Sequence, residues 1–167
     1  MKGGRRGLRN REEEENHGVK DVAILRVLEV NMAIHGVGAY FGGDHDVSSE
    51  FIRRKIIGIG WSATDAPDLH AYLKSLKVGD IVYIKSKPIK GDFSIKAIGI
   101  INSSAILNDV ALSNDTVVSI AREVKWVSRE KFVPKLGKEK SNVRSNSLFE
   151  EYNPLVQKQI ITKIIKP

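Results

Sequence analysis

The sequence predicts an α+β fold in which helices flank a curved mixed sheet or small barrel. Several apolar runs of strand length follow one another with short connections. One segment between them has the apolar spacing of a helix, and the pair Asn153-Pro154 is typical of a helix start near the C-terminus. With 167 residues, 41% of them apolar, the chain is long enough for one domain with a buried core.

The first 19 residues are predicted to be a disordered, charged tail. They combine five bases with the run Glu12–Glu15, and within Met1–Gly18 Leu8 is the only large apolar residue besides Met1. Such a segment cannot offset the entropy lost on ordering. A single domain is therefore expected over residues 20–167.

The first predicted elements surround a glycine-rich loop. The run Val22–Val30 has the length and composition of a strand. Asn31–Asp46 contains four glycines together with Tyr40 and Phe41, which predicts a loop rather than a helix. Asp46 is expected to cap a short helix over Val47–Arg54, with its Phe51 buried.

The middle of the chain alternates between strand and helix patterns. Lys55–Trp61 reads as a strand thinned by two glycines, where another backbone or a ligand comes close. A helix is expected to start at Thr64 or Asp65, with Pro67 in its first turn. Its apolar stripe comprises Leu69, Tyr72, Leu73 and Leu76, and His70 falls on its polar side, which predicts a surface position.

Further strands are predicted over Ile81–Ser86, Phe93–Ile101 and Thr116–Val127. In the last of these Val118, Ile120, Arg122, Val124 and Trp126 share one face. Ser147–Glu150 has capping-box spacing. Asn153 then caps a final helix with Pro154 at its first position, and four isoleucines would dock that helix on the sheet: Ile160, Ile161, Ile164 and Ile165.

The net charge of +7 is concentrated near the C-terminus. Residues 131–167 carry eight bases and three acids, and Lys131–Arg144 carry five bases against one acid. Such a stretch can neutralise phosphates and release counterions. The alternative is a solvated loop on a basic protein.

The sequence lacks the residues or motifs that several kinds of catalytic and metal-binding site require. The absence of cysteine excludes disulfides, thiolate metal sites and a cysteine nucleophile. No HExxH, GxSxG, complete GxGxxG or P-loop pattern occurs, so we expect no metal site and no cofactor. No 18-residue apolar window or secretory h-region is found, and we expect a cytoplasmic protein without a membrane partner.

A binding function is better supported by the residues around Trp61. This indole ends a glycine-thinned strand and is followed by the polar stretch Ser62–Asp65. An aromatic ring beside bare backbone can stack a flat ligand, while backbone and hydroxyl groups read its edge. Tyr40 and Phe41 can supply a second aromatic face. The alternative is that Trp61 packs in the core.

Four short motifs follow one another along the chain: GIGW (58–61), KVGDIVYIKS (77–86), IKAIGII (95–101) and VKWV (124–127). Their order resembles that of the PUA-like superfamily, specifically its EVE-type domains. The order is also similar to that in the N-terminal DNA-recognition domains of modification-dependent restriction systems. The resemblance runs from about Val22 to the C-terminus, including the Arg-containing stretch Asn142–Glu150, and rests on order rather than on a signature.

That resemblance implies a small twisted mixed β-barrel with helices outside and a pocket for a flipped, possibly modified base. By position, Trp61 becomes an aromatic wall, Ser62 a hydrogen-bonding edge, and Lys85 and Ser86 the end of a lining strand. The glycine loop adds Asn31 and Tyr40 to the pocket. The residues expected to contact phosphate are Lys131, Lys135, Lys138, Lys140 and Arg144.

The resulting expectation is a non-enzymatic module that binds nucleic acid, with DNA favoured over RNA. Restriction relatives fuse this module to a nuclease or motor, for which 167 residues leave no room, so we expect either a stand-alone reader or a subunit that works with a separate effector protein such as a nuclease. One alternative is an amidohydrolase like the ASCH relatives, with Lys85 and either Asp65 or Glu50 as base and acid. Another is a sensor of small molecules or nucleosides that uses the same pocket. Oligomeric state is left open.

Overall fold

The computed structural model describes residues 32–42, 45–86, 94–113, 115–136 and 147–166, and Ala33–Pro167 form one compact unit. Strands and helices alternate along these residues, which confirms the α+β class. The described strands are β1 (Ile34–Gly38), β2 (Tyr40–Phe41), β3 (His45–Asp46), β4 (Ile56–Ile59), β5 (Ile81–Ser86), β6 (Ser94–Ala111), β7 (Val117–Ser128) and β8 (Leu148–Glu150). The described helices are α1 (Ser48–Arg54), α2 (Pro67–Ser75) and α3 (Pro154–Ile165).

Six of the strands form one mixed sheet in the order β4-β7-β6-β5-β1-β8, and β2 and β3 form a separate hairpin. The pair β1–β5 is parallel, whereas the other neighbours are antiparallel. The mixed sheet flanked by helices is thus confirmed. Within the described residues β4 and β8 are its two edges, and no pairing between them closes a barrel.

The core lies between the sheet and its helices. Phe51 of α1, Leu73 of α2 and Ile160 of α3 are each fully buried. On β7 the predicted face is also buried at Val118, Ile120, Arg122 and Val124. Of the four isoleucines expected to dock α3, Ile160 and Ile161 are buried, Ile164 is half-buried, and Ile165 is 47% exposed.

The two longer helices begin where local chemistry predicts. Pro67 occupies the first turn of α2, although Ala66 rather than Thr64 or Asp65 is its N-cap. The Asn153 side chain accepts hydrogen bonds from the Leu155 and Val156 amides at the start of α3, as its sequence indicates. In α1 the N-cap is Val47, and the Asp46 carboxylate accepts from the Ser48 amide instead.

The capping-box prediction at Ser147–Glu150 is wrong, because Leu148–Glu150 form β8 beside β1. A methyl group at Gly36 would come within 2.5 Å of the Phe149 ring. Gly36 therefore gives Phe149 room to pack flat across β1, and this long-range burial prevails over the local capping pattern.

The glycine-rich loop prediction is also partly wrong, since Ile34–Gly38 form β1 inside the sheet. Strand β6 extends ten residues beyond the predicted end at Ile101, because the β6–β7 ladder resumes at Ile106↔Arg122 after an irregularity. The predictions for the tail and for Val22–Val30 lie outside the described residues.

The Arg122 side chain of β7 connects the end of α2 to the sheet. Its guanidinium donates to the carbonyl of Leu76 just after α2, with a longer contact to Leu73, and to the carbonyl of Ser103 in the irregular part of β6. Burial lowers the pKa of this guanidinium, and the Asp80 carboxylate opposes that shift. Arg122 thus holds the C-terminal end of the helix that carries His70.

Candidate functional site

Trp61 lies just after β4, and its side chain is 58% exposed. The interpretation of Trp61 as a core residue is therefore wrong. The His70 ring donates from Nε2 to the Trp61 carbonyl at 2.8 Å. This bond ties the backbone of Trp61 to α2, so the indole is presented to solvent on an anchored turn.

His70 itself is buried rather than on the surface as predicted, with 7% of its area exposed. The helical spacing did place it off the apolar stripe. However, the turn between β4 and α2 folds back over that side of the helix and supplies a carbonyl for the ring to bind. A polar position on a helix is buried when a neighbouring loop satisfies its hydrogen bond.

Ser62 organises the same turn. Its hydroxyl donates to Asp65 Oδ2 at 2.7 Å and accepts from the Asp65 amide at 3.1 Å, while its carbonyl accepts from the Ala66 amide. These bonds close one turn ahead of α2. The Ser62 hydroxyl therefore holds the shape of the turn, and one acceptor lone pair is what it retains for a ligand.

The β2–β3 hairpin approaches Trp61 through Phe41. A methyl group at Gly60 would lie 2.9 Å from two atoms of the Phe41 ring, so this ring rests directly on the backbone before Trp61. Phe41 also packs edge-on against Phe51, with ring centroids 6.0 Å apart. The neighbouring Tyr40 is 47% exposed. The Phe41–Gly60 contact therefore brings the two glycine-rich segments together, with the Phe41 ring engaged in this packing.

Lys96 anchors this hairpin from β6. Ile84 pairs with Ala97 and Lys85 with Ile95, so Lys96 is the extra residue of a β-bulge. Bulges redirect a side chain. The Lys96 ammonium binds the Asp46 carboxylate and the Ser48 hydroxyl, and lies 5.0 Å from the centroid of the Tyr40 ring.

Lys85 and Ser86 end β5, where both are buried, with 7% and 8% of their areas exposed. The Lys85 ammonium lies 4.8 Å from the centroid of the Phe149 ring. A methyl group at Gly38, which pairs with Lys85, would lie 3.8 Å from Lys85 Cε. The β2–β3 hairpin begins at Tyr40, two residues after Gly38, so one end of it lies beside the end of β5. Its Phe41 contacts Gly60, and the hairpin therefore connects the end of β5 to the turn of Trp61.

Two of the predicted phosphate contacts fall on described residues. Lys131 and Lys135 are both exposed, on a segment that follows β7. Phe132 of this segment pairs with Ile95, which pairs on its other side with Lys85. The segment therefore starts at the end of the sheet that holds Lys85 and Ser86. Asn31, Lys138, Lys140 and Arg144 lie outside the described residues.

Sequence reasoning missed Lys96 and the anchoring role of His70. An isolated lysine in an apolar strand, as in Ile95-Lys96-Ala97, was the available signal for the first. His70 gave no comparable signal, because its acceptor is a backbone carbonyl nine positions earlier.

The residues named for the amidohydrolase alternative are engaged elsewhere. Hydrogen bonds from Arg53 and Arg54 are the main reason that the pKa of Glu50 falls to about 2. Asp65 accepts from the Ser62 hydroxyl. Glu50 therefore carries no proton to donate at neutral pH. In the described part of the chain, no three His, Asp or Glu side chains are grouped so as to hold a metal ion.

Comparison with models of known protein families gives no match, and comparison with curated proteins gives none either. In the described ranges no helix has the length and apolar character needed to cross a membrane.

Proposed function

We propose that this chain is a non-enzymatic nucleic-acid-binding module that accepts a flipped base against Trp61. The observation that carries the proposal is an indole 58% exposed on a turn whose backbone is fixed by His70 and Ser62. A large aromatic side chain has only two torsion angles to order, so it loses little entropy when it stacks on a flat ring. A surface of this kind suits base stacking.

The sheet fits the PUA-like, EVE-type barrel that we propose for the whole domain. Support comes from the mixed six-stranded sheet, the outer helices and the placement of Trp61 between β4 and α2. In this arrangement the base lies between the turn of Trp61 and the hairpin of Tyr40. The buried end of β5, at Lys85 and Ser86, forms the floor.

Such a pocket has to offset the cost of flipping a base. Extruding a base costs a few kcal/mol. Stacking on one aromatic side chain contributes about 1–3 kcal/mol. Hydrogen bonds from the pocket and phosphate contacts by Lys131 and Lys135 supply the remainder. The partner proposed is DNA rather than RNA, and cleavage or signalling is left to a separate effector protein.

Substitution of Trp61 tests the proposal. Trp61→Ala is expected to weaken binding of a short duplex about tenfold or more, since 1.4 kcal/mol corresponds to a factor of ten. Fluorescence anisotropy at fixed salt measures the affinity. A 2-aminopurine probe placed next to the target base reports flipping, because it loses a stacking neighbour, and its signal is expected to rise with the wild-type protein and not with Trp61→Ala.

Tyr152→Ala is the matched control, because Tyr152 is an aromatic residue 75% exposed on the segment between β8 and α3. This control should leave affinity and probe signal unchanged. If Trp61→Ala keeps both the affinity and the base preference of the wild type, the pocket is overturned. Saturable binding of a free modified nucleoside without duplex binding would instead indicate a nucleoside sensor.

A further inference from the structure

The outer face of α3 carries an excess of positive charge that the segment after β7 extends. Helix α3 and its C-cap contain three lysines and no acid, and residues 129–136 contain three bases and one acid, Glu130. We call these six bases the basic surface. They are Arg129, Lys131, Lys135, Lys158, Lys163 and Lys166, of which all but the half-buried Lys163 are exposed.

Specific contacts hold the two parts of the basic surface together. The Lys135 amide donates to Gln159 Oε1, and Gln159 Nε2 donates back to the Lys135 carbonyl, both at 2.9 Å. Lys163 binds Glu130 at 2.7 Å and lies 5.5 Å from the centroid of the Phe132 ring. Residues 130–135 therefore run along α3 in a defined register, in which Glu130 lies beside Lys163 and Lys135 beside Gln159.

The lysines of α3 lie on one side of the helix. At about 100° per residue, Lys158, Lys163 and Lys166 fall within roughly 140° of its circumference. The opposite side holds the buried Val156, Ile160 and Ile161. Glu130 neutralises Lys163, so Lys158, Lys166 and Lys135 are the exposed cations available to an anion on this side.

Backbone pairing connects the segment after β7 to the floor of the proposed base pocket. Phe132 pairs with Ile95 through two backbone hydrogen bonds, of 2.9 and 3.0 Å. Ile95 pairs with Lys85, at the proposed pocket floor. A phosphate chain that leaves the pocket at this end of the sheet reaches Lys131 and then α3.

We propose that the DNA backbone runs from the pocket along α3 and is bound there by Lys135, Lys158 and Lys166. This inference rests on the proposed function and adds a second contact region, on the helix rather than in the loop. The two regions have separate tasks. Trp61 sets the preference for a base, and the basic surface supplies affinity that is independent of sequence and sensitive to salt.

The test is a salt series on the double variant Lys158→Gln/Lys166→Gln in the full chain. The slope of log affinity against log salt concentration is expected to become shallower by about 2, since each phosphate contact contributes roughly 0.9. The ratio of affinities for flippable and fully paired duplexes should stay unchanged. The double variant Lys158→Arg/Lys166→Arg should keep the wild-type slope.

Lys55→Gln/Lys74→Gln is the matched control, because both lysines are exposed and lie outside the basic surface, on the α1–β4 turn and on α2. An unchanged slope in Lys158→Gln/Lys166→Gln, or an equal change in this control, would overturn the inference. If the α3 variant flattens the slope while Trp61→Ala alters neither affinity nor base preference, the basic surface stands and the pocket fails. A wild-type protein that binds neither duplex at low salt overturns both.

Discussion

His35 shows how a single buried polar residue depends on distant parts of the chain. Its Nδ1 lies 3.0 Å from the Tyr72 hydroxyl of α2, and its Nε2 lies 3.5 Å from Asp80 Oδ2 before β5. The Asp80 carboxylate itself accepts from the amides of Ala33 and Lys77. His35 therefore sits where β1, α2 and the turn before β5 meet.

The charge state of His35 makes the stability of the fold depend on pH. Burial lowers its pKa below 6.5, although Asp80 and Glu150 act in the opposite direction and Lys77 adds to the lowering. The unfolded chain then binds more protons than the native chain between the folded pKa and 6.5. Stability present above pH 6.5 is expected to be lost as the pH falls through the folded pKa.

Urea unfolding across this pH range checks the prediction with His35→Gln. The variant should lose less stability on acidification than the wild type, because Gln has no proton to gain. His45→Gln is the control, as His45 lies exposed on β3. Parallel pH profiles for the wild type and His35→Gln would contradict the assignment.

Sequence reasoning succeeds at the residue scale where neighbours decide the outcome. Phe51, Asn153 and the alternating face of β7 were predicted because their apolar spacing or capping chemistry is local. His70 was misassigned, and Lys96 was not singled out. Both bind groups that only tertiary structure brings close, namely the Trp61 carbonyl and the Asp46 carboxylate.

At the scale of elements, α2 is held at both ends by side-chain contacts with backbone carbonyls. Near its start His70 binds the Trp61 carbonyl, and at its end Arg122 binds the carbonyl of Leu76. Helices leave their last carbonyls without internal partners, so a cation placed there satisfies them. The position of the Trp61 turn thus depends on a residue of β7.

Removing the guanidinium of Arg122 is expected to loosen α2. Arg122→Met should destabilise the fold by about 3 kcal/mol, because buried carbonyls lose charge-assisted hydrogen bonds. Chemical denaturation measures the change. Lys125→Met, exposed on the same strand, should cost less than about 0.5 kcal/mol.

A second measurement connects this change to the site. In Arg122→Met the indole fluorescence of Trp61 should show greater rotational freedom below the unfolding transition, with Trp126→Phe introduced so that one tryptophan reports. An unchanged anisotropy decay would show that α2 keeps its position without Arg122.

Helix α3 was predicted correctly, whereas the strand before it was not. Asn153 and Pro154 specify the start of α3 within a few residues. Leu148–Glu150 are too short to show a strand period, and their pairing partner, β1, lies far earlier in the chain. Residues 148–150 form a strand rather than a helix cap because Gly36 of β1 leaves room for the Phe149 ring, and no local sequence pattern reveals this contact.

At the scale of the whole molecule, the last segment completes both the sheet and the core. Strand β8 covers β1, and α3 buries Val156, Ile160 and Ile161. The Tyr83 hydroxyl of β5 donates to Glu151 at 2.6 Å across 68 positions of sequence. Burial and the Glu151 carboxylate raise the pKa of Tyr83, so this hydroxyl remains a donor.

A chain that ends at residue 146 is therefore expected to lose cooperative unfolding. The truncation removes the strand that pairs with β1 and the Glu151 carboxylate that accepts from the Tyr83 hydroxyl. Circular dichroism during thermal unfolding should show a broad, shallow change. A chain that ends at Ile165 is the control and should retain a sharp transition. A sharp transition in the shorter chain would contradict this view of the core.

For the molecule as a whole, the class and the mixed sheet follow from the order of apolar runs. The sequence also singled out Trp61 and the aromatic residues of the glycine-rich segment, because large aromatic side chains beside glycine are conspicuous. It did not reveal that Phe41 packs on Gly60, nor that the charge of the segment after β7 continues onto α3. Those juxtapositions arise from strand order and helix docking.

The position of β1 between β5 and β8 also sets the order in which the protein can form during synthesis. Strand β1 is made before both of its neighbours, β5 and β8, which follow it at a distance in the chain. Pairings between such distant segments slow folding, and until its partners are made the unpaired edges of β1 promote aggregation with other chains. We therefore expect the nascent chain to need protection from aggregation until β8 has left the ribosome.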